Sequence, residues 1–184
     1  MVLSLTGHPA RLRAPPSCWF CRFDPSFQGD RPMINLKRIL VATDFSQHSR
    51  LALKYAATLA QAFQAEVILC HVLEKPDFLS SLPPVMEGYF PPNLAELHEK
   101  HARKECESLL TESGITNGRI VLPHGSPAAE TVAAAKSERA DLVIVGTHGR
   151  SALTHLLLGS VAEKIVRSAG CPVLTVRQGE HDFV

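Results

Sequence analysis

From residue 33 to 176, short apolar runs alternate with stretches whose apolar residues recur every three or four positions. That rhythm predicts buried strands and amphipathic helices in turn. Residues 38–43 (RILVAT) and 66–72 (EVILCHV) read as strands buried on both faces, 119–123 as a weaker third, 141–146 (DLVIVG) as a fourth and 172–177 as the last. Ser46 is placed to cap a helix whose apolar face is Ala52, Ala56, Leu59, Ala60 and Phe63. Asn93 is placed to cap a long second helix carrying Leu94, Leu97, Leu109 and Leu110 and ending at Gly114. Ser126-Pro127 is a cap followed by proline at the first helical position, opening a helix through about Ser137. A fourth helix runs from about Ser160 to Ser168, with Gly170 to end it. Strand and helix repeated four times, closed by a strand, predict one doubly wound α/β domain with a parallel sheet and helices on both faces.

The rhythm divides the chain. Residues 1–32 hold Pro9, Pro15, Pro16, Pro25 and Pro32 with no hydrophobic period, and are expected to be a poorly structured extension. Residues 33–178 form the domain and 179–184 a short tail. Arg11, Arg13 and few acids fit a transit peptide, but the proline and glycine content opposes the amphipathic helix one needs. A start placed upstream of a natural Met33 explains the contrast better. Cys18 and Cys21 have CxxC spacing, but no second CxxC completes a zinc site and no strand precedes them as in a redox pair, so the spacing reads as chance. Residues 74–92 are Pro-rich and long for a connection, a form that lids and contact surfaces often take.

Composition narrows the classes. The chain has 184 residues, 45% hydrophobic and 20% charged, with a formal net charge of +1, so no global field draws it to nucleic acid or an anionic membrane. An odd count of five scattered cysteines points to a reducing, cytoplasmic setting rather than a secreted disulfide framework. No apolar run has the length of a membrane span. Anion binding therefore has to come from a local arrangement.

One such arrangement is present. Gly146-Thr147-His148-Gly149-Arg150 followed by Gly159-Ser160-Val161 makes a G-x2-G-x9-G-S pattern that begins at the carboxyl end of the fourth strand, where ligands of open α/β sheets bind. Gly146 and Gly149 are read as letting the backbone turn and approach a ligand. Gly159-Ser160 opens the next helix, whose first amides lack intrahelical partners, and Ser160 adds a hydroxyl. Arg150 is a candidate counter-charge for phosphate. The P-loop signature GxxxxGK[ST] and the dinucleotide signature GxGxxG are both absent. In a sheet ordered 3-2-1-4-5, the first strand adjoins the fourth and winding reverses between them, so Asp44 comes opposite Gly146 at the switch point. There it either holds a metal with the phosphates, accepts hydrogen bonds from a nucleoside, or serves only as the turn residue before the helix.

ILVATDFS, ILCHV and VGTHGRSALTHLLLGSVAEKIVRSAGCPVLTV together resemble universal stress proteins of the ATP-binding subgroup, over about residues 36–177. The resemblance implies a five-stranded parallel sheet of order 3-2-1-4-5 (adenine nucleotide alpha hydrolase-like) and a role in stress response. It places Ala42, Thr43 and Asp44 at the nucleoside end and Val72, by its backbone, at adenine. Gly146, His148, Gly149, Gly159, Ser160, Val161 and Ala162 then surround ribose and phosphates. ATP is the implied ligand, with AMP or ADP as variants and Mg2+ accompanying the nucleotide, held through Asp44. Ala42 stands where a proline is common in the family, and Ala162 where some members have a hydroxyl residue.

Three readings stay open, one of them a non-nucleotide interaction protein in which the glycines only shape the fold. A regulatory binding module needs no catalytic residue, while a slow ATP hydrolase would use Asp44 and His148, although no general base is evidently placed for water. His148 itself reads better as a loop residue than as a catalyst. The histidines His98 and His101 look like ordinary residues of a polar helix face. The last strand, Pro172 to Val176, is an apolar edge without lysine, which predicts a homodimer formed through it.

Overall fold

The computed structural model describes residues 34–74, 93–147 and 159–177. The chain divides into two compact units, Met1–Ile34 and Asn35–Val184, and the elements below all belong to the second. Cys18, Cys21, the bulk of the 74–92 connection, and His148, Gly149 and Arg150 lie outside the described residues.

Strand β1 (Arg38–Ala42) leads to helix α1 (Gln47–Phe63), β2 (Glu66–Cys70) and α2 (Leu94–Glu112). Then come β3 (Gly118–Val121), α3 (Pro127–Ser137), β4 (Leu142–Gly146), α4 (Ser160–Ser168) and β5 (Val173–Val176). The five strands are parallel, in the order β3-β2-β1-β4-β5. Each strand is shorter than its apolar run by one or two residues, yet backbone bonding and burial continue past the strand ends: the Thr43 amide donates to the Cys70 carbonyl and the His71 amide to that of Val121, and Thr43, His71 and Val72 remain buried.

Successive strand residues face opposite sides, and each side is covered by two helices. Ile39, Val41, Val67, Leu69 and Ile144 pack with Ala52, Leu53 and Ala56 of α1 and Cys106, Leu109 and Leu110 of α2. Leu40, Ile68, Cys70, Val143 and Val145 pack with Ala128, Ala134 and Ala135 of α3 and Ala162 and Ile165 of α4. Each fully buried branched side chain contributes roughly 1.5–3 kcal/mol by leaving water. Leu53 replaces Phe63 in the expected face of α1; Phe63, the last residue of the helix, is 40% exposed, as Leu97 on α2 is 49% exposed.

Helix ends follow local chemistry, with three departures from expectation. The Ser46 side chain accepts from the Ser49 amide, as a cap should, at 3.3 Å. Asn93 makes no side-chain cap bond, and neither does Ser126, so α3 starts on Pro127 alone, whose missing amide removes one unpaired donor. Gly114 takes φ +67° just beyond α2, a conformation suited to glycine. Gly170 plays no such part, since α4 stops when Ala169 becomes extended.

Candidate functional site

Winding reverses between β1 and β4, whose register pairs Val41 with Ile144. Thr43-Asp44 and Gly146-Thr147 therefore leave the sheet at the same level, and the two chains diverge to opposite faces. A cleft of about 490 Å³ opens there, within the usual range of small-molecule sites. Ala42, Thr43, Asp44, Val72, Gly146, Gly159, Ser160, Val161 and Ala162 all line it. The fold thus brings together every site residue expected from sequence that falls within the described residues.

One wall is the β1–α1 loop, tightly held. The Ser46 amide donates to Asp44 Oδ1 at 3.0 Å and the Phe45 amide to Thr43 Oγ1 at 3.1 Å. The Thr43 hydroxyl donates to Ser49 Oγ, which donates in turn to the Ser46 carbonyl. Phe45 sits at φ +66°, a left-handed conformation that costs a non-glycine residue about 1–2 kcal/mol. Burial pushes the Asp44 carboxyl up, but hydrogen bonds from Ser46, with Ser49 adding to them, outweigh that and hold it below its ordinary value. Asp44 is therefore both the turn residue before α1 and an ionised group on the cleft.

The opposite wall is the start of α4. Its first intrahelical bond is Glu163 N–H to the Gly159 carbonyl, which leaves the amides of Ser160, Val161 and Ala162 ahead of the ladder, at the positive end of the helix dipole. The Gly159 amide does not join them, because it donates to the Thr147 carbonyl at 2.7 Å. The donor set expected around 159–161 thus shifts by one residue, to 160–162. Gly146 is also corrected. Its φ is not positive, and a Cβ there would stand 3.0 Å from the His48 backbone carbon. Glycine at 146 lets α1 rest on the end of β4, rather than letting the chain turn toward a ligand.

The floor holds residues that sequence reasoning missed: Ser49, Cys70, His71, Thr131, Val145 and Thr147, with Pro127 beside them and Glu74 and His98 at the rim. His98 is thus a cleft residue as well as a helix-face one. Cys70 is 1% exposed, and burial pushes its thiol up to about 12, against a smaller opposing effect of the Thr131 hydrogen bond. It is an inert wall residue, not a nucleophile. His71 Nδ1 lies 2.9 Å from the Thr43 carbonyl oxygen, and its ring centroid is 4.2 Å from that of Phe45. Among the described lining residues there are two carboxylates, Asp44 and Glu74, and no lysine or arginine.

A doubly wound parallel sheet with its cleft at the switch point, between a strand tip and an uncapped helix start, defines an α/β protein whose crevice has the place and size of a small-ligand site. The chain belongs to the universal stress protein family, whose model matches residues 35–177. A universal stress protein of Methanocaldococcus jannaschii is 35% identical over 142 residues, 77% of this chain and 82% of that one. The solved structure of a protein designated MJ0577 superposes with a TM-score of 0.66 at 30% identity, over 80% of this chain and 100% of that chain. A universal stress protein solved in complex with cAMP superposes with a TM-score of 0.53 at 25% identity, over 77% of this chain and 97% of the other.

Proposed function

We propose that the cleft binds an adenine nucleotide, ATP above all with AMP or ADP as alternatives, and that the protein is a cytoplasmic regulatory module of the stress response. The observation that carries this reading is the pair of walls: three helix-start amides across one cleft from an ionised aspartate. Amides at a helix start suit phosphate oxygens, and the Ser160 hydroxyl adds a donor. The relative solved with cAMP supports an adenine nucleotide as the ligand class.

The donor set also bears on the metal. Asp44 facing phosphates is repulsive, and a divalent cation between them reverses the sign of that contact. Asp44 is the residue that would hold Mg2+ brought in by the nucleotide, and the ion would supply charge neutralisation. Thr43 and Ala42 flank the nucleoside, the Val72 backbone meets the base, and His148, Gly149 and Arg150 complete the phosphate side. Residues 33–178 are the working unit, with 1–32 an extension and 179–184 a tail. Two copies associate through β5.

A binding role is favoured over a slow ATP hydrolase because a carboxylate held below its ordinary range is a weak base. Equilibrium binding of labelled ATP with and without Mg2+ tests the reading, and submicromolar to micromolar affinity that falls on chelation is expected. No saturable binding at millimolar ATP would refute it. Phosphate release from wild type and Asp44→Ala decides between the two activities: turnover well above background that disappears in the variant establishes the hydrolase.

A further inference from the structure

Asp44 is useful only if its carboxylate stays at the cleft mouth, and the hydrogen bonds within the β1–α1 loop are not all that holds it there. The residue after it, Phe45, occupies a left-handed conformation that a bulky side chain leaves when released. Part of what opposes release comes from a different strand. His71 follows β2, is 8% exposed, and reaches across the sheet end to the loop. A carbonyl oxygen has no proton to give, so at 2.9 Å from Thr43 O it is His71 Nδ1 that carries the hydrogen and donates. The same imidazole packs against the Phe45 ring, centroids 4.2 Å apart and planes inclined by 36°. One side chain thus grips the residue before Asp44 by a hydrogen bond and the residue after it by ring contact.

We infer that His71 is a positioning residue, which fixes the Asp44 carboxylate at the cleft mouth through Thr43 and Phe45. The inference rests on the nucleotide reading for its consequence, though the clamp itself does not. With Thr43 and Phe45 both pinned, the backbone of Asp44 has no independent freedom, and the Ser46 amide on Oδ1 sets the rotamer. Without His71 the Thr43 carbonyl, buried, loses a partner and Phe45 loses its support. The loop then relaxes, and Asp44 moves with it.

Two variants separate the halves of the grip. His71→Phe keeps a ring against Phe45 and deletes the donor. His71→Asn keeps an amide donor at the level of Nδ1 and deletes most of the ring. In ligand-free protein, amide exchange of Ser46 reports whether Asp44 Oδ1 is in place. Exchange is expected to accelerate about tenfold in His71→Phe, while amides of β1 and β4 keep their protection. His71→Asn recovers part of the protection. Unchanged Ser46 exchange in His71→Phe overturns the inference, and so does equal acceleration throughout the sheet, which marks a general structural role.

The second measurement is the gain in ATP affinity on adding Mg2+. His71→Phe is expected to lose about tenfold of that magnesium-dependent gain. A gain equal to that of wild type overturns the inference. If wild type binds no ATP, the nucleotide reading fails by itself, and Ser46 exchange still decides the clamp.

Discussion

At the scale of single residues, Gly146 and Asp44 do work that their neighbours in sequence do not announce. Gly146 is glycine because the His48 backbone lies where a Cβ would go. Gly146→Ala is therefore expected to destabilise the fold by about 1–3 kcal/mol through overpacking, measured by urea denaturation. A stability equal to wild type would mean that α1 shifts freely on β4. Asp44 has its native titration below the ordinary value of 3.8. The native state therefore binds fewer protons than the unfolded chain between those two values. The resulting stabilisation is complete above the ordinary value and is lost as pH falls through the native one. Asp44→Asn, which keeps an acceptor for the Ser46 amide but does not titrate, should flatten the fall in stability below about pH 4. Denaturation curves of both proteins from pH 2.5 to 7 check this, and parallel acid limbs would contradict it.

At the scale of elements, α4 invites a substitution that alters the site without harming the helix. Gly159 has φ −58° and ψ 145°, the conformation a residue before proline adopts, and Ser160 is the first helical position. The protein already uses proline at that position in α3. Ser160→Pro should leave stability within about 0.5 kcal/mol while deleting one amide and one hydroxyl from the cleft. ATP affinity should fall roughly 10–100-fold, the loss of a hydrogen bond or two to a charged group. Unaltered affinity would place the phosphates elsewhere. The strands and helices were legible in sequence because runs buried on both faces and helical periods are encoded locally. The β4–α4 motif was legible for the same reason, since its glycines and serine follow one strand and open one helix. His71 was not, because inside EVILCHV it reads as one more strand residue, and its partners Thr43 and Phe45 lie on another strand's loop. Ser49 and Thr131 were hidden likewise, each on the buried face of a helix until the sheet brings those faces to one cleft. The unshared Gly159 amide was also beyond sequence, because its acceptor, Thr147, is reached only through the fold.

At the scale of the molecule, the base of the sheet opposite the cleft is tied by charge. Arg119 bonds Glu66 at 2.8 Å and also Glu138, and hydrogen bonding to Arg119 holds the Glu138 carboxyl below its ordinary value. These groups are largely solvated, so the network steadies the base more than it stabilises the fold. The edge strand β5 is the other large-scale feature, with Val173, Leu174 and Thr175 only partly buried and Val166 of the adjoining α4 44% exposed. An apolar edge of this kind supports the proposed pairing of two copies. Light scattering at micromolar concentration should return twice the chain mass of 20.1 kDa, and a monomer mass would rule the pairing out. Among the described residues, no helix is long and apolar enough to cross a membrane.

The pairing of β1 with β4 has a consequence for how the protein is made. Asp141 receives the Lys37 amide from a point 104 residues earlier in the chain, and β1 gains its second neighbour only with Leu142–Gly146. During synthesis, β1 and β2 emerge long before that partner, with one flank of a largely apolar strand unsatisfied. A polypeptide interrupted in that interval has no crevice to fill and an open edge to offer its neighbours, so stalled products should aggregate where finished ones do not.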